Sequence, residues 1–124
     1  MRVEELMIED WIYDGNSIAQ VTGITCDGII ETTHNQSSNI ELIKPIPLIV
    51  EILEKNGFKK DEKDKNMYYW NWSICNNCIS YDKETGKIRI FHSLGNLVFV
   101  LPLRYIHELQ HALKLCEIEK KIIL

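Results

Sequence analysis

The chain has 124 residues, 45% of them hydrophobic and 26% charged, with a formal net charge of −4. This length fits one domain or two small subdomains sharing a core. The acidic balance argues against nucleic acid as a partner, since phosphate binding wants a basic patch, and no run approaches the ~20 apolar residues of a membrane span.

The chain starts Met1-Arg-Val-Glu-Glu5, which is acidic and polar and unlike a leader. A soluble, cytoplasmic protein with no membrane partner is expected. The four cysteines, Cys26, Cys75, Cys78 and Cys116, are then expected as reduced thiols. Residues 1–47 read as short strands with tight turns. Strands are expected at 10–13, 17–22, 29–33 and 39–43, with Asp14-Gly15-Asn16 and Cys26-Asp27-Gly28 as turns. Four or five strands in so short a stretch predict a small SH3-like β barrel.

Lys44-Pro-Ile-Pro47 marks a boundary, with an extended connector that is apolar enough to pack down. Residues 48–124 then form the second subdomain. Leu48–Asn56 places Leu48, Ile49, Ile52 and Leu53 on one helix face, and Gly57 stands where a left-handed C-cap residue belongs, ahead of Phe58. Lys59–Lys65 is a charge run of mixed sign and is expected as a mobile surface loop.

A four-stranded antiparallel meander is predicted within 66–101. Tyr68, Trp70 and Trp72 alternate, so they share one sheet face. They read as a face buried beneath helices; the functional alternative is a binding surface that stacks bases or sugars. With the lysines at 59, 60, 63 and 65, that alternative makes a single-stranded nucleic-acid binder. Cys75-Asn-Asn-Cys78 is one C-x-x-C without the second pair that a zinc ribbon needs. Leu97–Leu101 is an unbroken apolar run and is expected to be the most buried strand. Its Leu97 and Phe99 should meet Leu109 and Leu113 in the core.

A helix is predicted over 102–116, starting at Pro102. Ile106, Leu109, Leu113 and Cys116 form its apolar stripe, and His107 and His111 fall on the opposite, solvated side. His107-Glu108-Leu109-Gln110-His111 matches H-E-x-x-H, in which two histidines one turn apart hold zinc and the glutamate is general base. We read the pair as binding no metal. The alternative is a small zinc-dependent hydrolase with His107 and His111 as ligands and Glu108 catalytic. The tail residues Ile122–Leu124 are expected to dock.

Leu6–Tyr13, Ile43–Leu48, Glu51–Phe58 and Tyr105–His111 resemble segments of a group of small proteins of Bacteroides-type gut bacteria and their phages or mobile elements. Residues 59–95 carry the least of the likeness. The resemblance implies a bacterial cytoplasmic setting and supplies no activity, cofactor or site residue. The expectation is therefore an α+β protein, a small SH3-like barrel followed by a four-stranded meander with two helices. Its expected role is that of a non-catalytic binding or adaptor protein, with a protein as partner and no cofactor.

Overall fold

The computed structural model describes residues 5–34, 42–71, 77–92 and 96–124. The fold is mixed α+β and divides into two compact units. The first is Met1–Pro47 with Tyr105–His111; the second is Leu48–Arg104 with Ala112–Leu124.

In the first unit, β1 (Trp11–Tyr13), β2 (Ile18–Ile24), β3 (Ile30–Thr32) and β4 (Lys44–Pro45) form an antiparallel sheet in the order β3-β2-β1-β4. The β1–β2 turn follows from Asp14, whose carboxylate accepts the N–H groups of Asn16 and Ser17, both at 2.9 Å, while Gly15 takes φ +102°. Those two bonds hold the Asp14 carboxyl below its usual pKa. Ile12, Ala19, Val21 and Ile30 project to one side and pack with Leu6 and Ile43 as the core.

The expected barrel is not formed among the described residues. β3 and β4 lie at opposite ends of an open sheet. β4 is two residues long and contains Pro45, which has no N–H to extend a ladder. The strand expected at 39–43 falls largely outside the described residues, and Leu42 and Ile43 are not in a strand.

The second unit starts with α1 (Val50–Lys55). Gly57, at φ +91°, ends it with both bonds of a Schellman motif: Phe58 N–H to the Leu53 carbonyl and Gly57 N–H to the Glu54 carbonyl. Phe58 is buried, as a hydrophobic closure requires. Five strands follow in an antiparallel meander, β5 (Lys59–Lys60), β6 (Met67–Trp70), β7 (Cys78–Asp82), β8 (Lys87–His92) and β9 (Asn96–Pro102). The charge run is therefore not wholly a loop, because Lys59 and Lys60 pair with Tyr69 and Tyr68.

Two expectations about this sheet are corrected. Among the described residues β9 is its edge, not its centre, with β8 alone beside it. Leu97 is 50% exposed and Leu101 54% exposed. Continuous apolarity marks a strand that wants cover on both faces; it does not place that strand between two others. Pro102 ends β9 and does not start the helix. α2 runs from Ile106 to Leu115, and its first residues, through His111, group with the first unit.

The tail docks on the second unit. Ile118 and Ile122 are buried. Asn56 clasps the backbone of Ile123, donating to its carbonyl and accepting its N–H, both at 2.7 Å. Ile123 itself stays exposed.

Candidate functional site

The corner at residues 7–10 shapes the surroundings of the helix histidines. Glu9 adopts φ +76°, a left-handed conformation that costs a side-chain-bearing residue energy. Its surroundings fix it. Its N–H donates to the Val21 carbonyl at 2.7 Å, and its carbonyl accepts from Gln20 Nε2 at 3.0 Å and Gln110 Nε2 at 2.9 Å. Gln110 Oε1 accepts the Trp11 N–H at 2.8 Å. One side chain of α2 thus satisfies two backbone groups where the chain enters β1.

The corner turns Asp10 inward, where it is fully buried. Asp10 Oδ2 accepts the Met7 N–H at 2.7 Å and lies 2.7 Å from His111 Nε2. The His107 ring stands edge-on to His111, with centroids 5.5 Å apart, and stacks on Tyr105 at 5.9 Å. His107 is buried too, and burial depresses its pKa against the opposing pull of Asp10. Asp10 Oδ1 and His107 Nδ1 are buried with no hydrogen-bond partner among the described residues.

This corrects the reading of His107 and His111 as a solvated face. The stripe Ile106, Leu109, Leu113 and Cys116 is buried as expected, but so are His107 and Gln110. The helix is covered over a wide arc because a polar corner, Glu9 and Asp10, satisfies its polar side. Gln110 and Asp10 were missed as partners in the sequence. A pairing 101 residues apart leaves no local trace.

Glu108 has a different task from the one the motif suggests. With Ile106 as the first helical residue, Glu108 is the third, and its Oε1 accepts the Tyr105 N–H at 3.0 Å. This is one half of a capping box. His111 Nε2, the nitrogen a motif histidine offers to zinc, faces Asp10 instead. Among the described residues no group of three or more His, Cys, Asp or Glu is placed to hold a metal ion.

The aromatic strand is also occupied. Tyr68 is buried in the second unit. Trp70 is half-buried, with Lys120 Nζ 4.9 Å from its ring centroid in a cation–π contact. Trp72 and Cys75 lie outside the described residues, so neither the three-residue platform nor the C-x-x-C pair can be placed. Cys26 is exposed, Cys78 and Cys116 are buried, and burial raises the pKa of Cys116.

Among the described residues, the edge of β9 is open. Leu97, Val98, Val100 and Leu101 keep between 42% and 54% of their surface exposed. No residue from Asn96 to Pro102 is charged. A long apolar edge strand is a template for another strand. Among the described residues no helix is long and apolar enough to cross a membrane.

Comparison of the chain with protein-family models, with curated proteins and with solved structures gives no match in any of the three.

Proposed function

We propose that the protein is a non-catalytic binding or adaptor protein of a bacterial phage or mobile element, working in the cytoplasm and taking an extended strand of its partner along β9. The observation that carries this is the uncharged, exposed edge of the second sheet. Strand addition draws its affinity from backbone hydrogen bonds and its selectivity from side chains on alternate faces. The groups a hydrolase would use support the reading from the other side. Glu108 caps its helix and His111 is held by Asp10. The phage or mobile-element setting rests on the sequence resemblance of the segments at 6–13, 43–48, 51–58 and 105–111.

The test is a soluble peptide carrying the sequence of residues 96–102, flanked by lysines, added to isotope-labelled protein. Strand addition predicts amide chemical-shift changes concentrated on β9 and β8. Changes confined to other elements, or none at saturating peptide, would refute the assignment of β9 as the binding edge.

A further inference from the structure

We infer that the strand taken up by β9 is β9 of a second copy, giving a two-fold symmetric dimer with a continuous ten-stranded sheet. This rests on the strand-binding reading above and names its partner.

The first argument is the difference between the two edges of the five-stranded sheet. β5 is two residues long and both are exposed lysines, the usual protection of an edge against pairing. β9 is seven residues long and uncharged. Joining β9 to β9 therefore uses up both open edges and leaves Lys59–Lys60 at each end. The assembly closes after two copies and does not grow into a fibre.

The second argument is backbone direction. Leu103 N–H donates to the Gly86 carbonyl at 3.0 Å, and the next pair is Lys87 with Pro102. Hydrogen-bonded positions alternate along an antiparallel ladder. Leu101 and Phe99 therefore turn their backbone groups toward β8, while Val100 and Pro102 turn theirs outward. Pro102 has no N–H, so its outward position costs the β8 ladder nothing and offers a second copy only its carbonyl. The register shift opposite Ile90 and Phe91 leaves Val98 without a partner on β8, so the regular part of the edge is Phe99–Pro102. A two-fold axis at Val100 then lets Val100 N–H donate to Val100 C=O of the second copy, and the reverse. Phe99 falls opposite Leu101, and no charge meets its like.

A strand edge of this length covers less than the roughly 800 Å² per partner of a standard interface. The dimer is thus expected to be weak, with Kd on the order of 10–100 μM.

The experiment is sedimentation of the full chain over a concentration series, with two variants. Val100→Glu and Val100→Lys each place like charges face to face across the axis. Position 100 is exposed, and Arg89 on β8 stands beside it, so the glutamate variant keeps a favourable neighbour in the monomer. Wild type should approach twice the 14.5 kDa chain mass as concentration rises. Each variant alone should lose at least about 100-fold in dimer affinity, with unchanged circular dichroism. An equimolar mixture of V100E and V100K should regain the dimer, because opposite charges then meet. A wild type that stays monomeric up to about 1 mM, or a dimer that both variants keep, overturns the inference. If the chain is monomeric while the strand peptide still perturbs β9, only the second copy is wrong. If the peptide also fails, the binding reading falls with it.

Discussion

Asp10 is a buried carboxylate held by one backbone N–H and one imidazole. The His111 side chain is 28% exposed, so water can replace part of what the carboxylate gives it. Asp10→Ala takes the acceptor from the Met7 N–H and the partner from His111 Nε2 and should lower unfolding stability by about 1–3 kcal/mol, read as a shift in denaturant midpoint at constant m-value. An unchanged midpoint would show that the corner does not hold α2. His107 gives a pH signature. Its folded pKa is depressed by burial, so as pH falls below the ordinary imidazole value of about 6.5, the unfolded chain takes up a proton that the folded one refuses. This part of the stability is present above that pH and is lost as pH falls toward the folded pKa. The groups around the ring, Asp10, Glu5 and Glu108 against His111, set how far down the loss extends. His107→Phe should flatten the slope in unfolding measured across this range, whereas a slope identical to wild type would place the titration elsewhere. Glu108 separates capping from catalysis. Glutamine can replace glutamate in a capping box, so Glu108→Gln should be near neutral, and Glu108→Ala should cost about 1 kcal/mol. A hydrolytic activity lost in Glu108→Gln would contradict this assignment.

Local chemistry makes several elements legible in the sequence. Gly57 with Phe58 marks the end of α1, and Asp14-Gly15-Asn16 marks the first hairpin, because caps and turns are decided within a few residues. The apolar stripe of α2 was legible for the same reason, and Leu113 is 2% exposed. Leu113→Ala should cost about 2–5 kcal/mol. What was not legible depends on neighbours distant in sequence. The polar side of α2 looks solvated until Glu9 and Asp10 are placed against it. The capping role of Glu108 shows only when the helix is seen to start at Ile106; the motif offered it a catalytic role as the alternative reading alone. β9 looks central because apolar runs usually are, and only the strand order shows it to be an edge. The docked tail is an intermediate case. Its apolar residues predict burial, but the clasp is Asn56, an unremarkable polar residue at a helix end. Asn56→Ala removes the donor and the acceptor that meet Ile123. It should cost about 1–3 kcal/mol and speed amide exchange in residues 118–124.

At the scale of the whole molecule, the second sheet has one protected edge and one open edge, and the proposed function follows from that asymmetry. Lysines close β5, whereas β9 offers outward backbone groups between exposed Leu97 and Leu101. Hydrogen exchange at two adjacent amides tests this most directly. Leu101 N–H faces β8 and Val100 N–H faces outward, so in the monomer the first is protected and the second is not. We predict that Val100 protection rises with protein concentration while Leu101 protection stays constant. Fast exchange of Val100 at every concentration, with Leu101 protected throughout, would contradict the account.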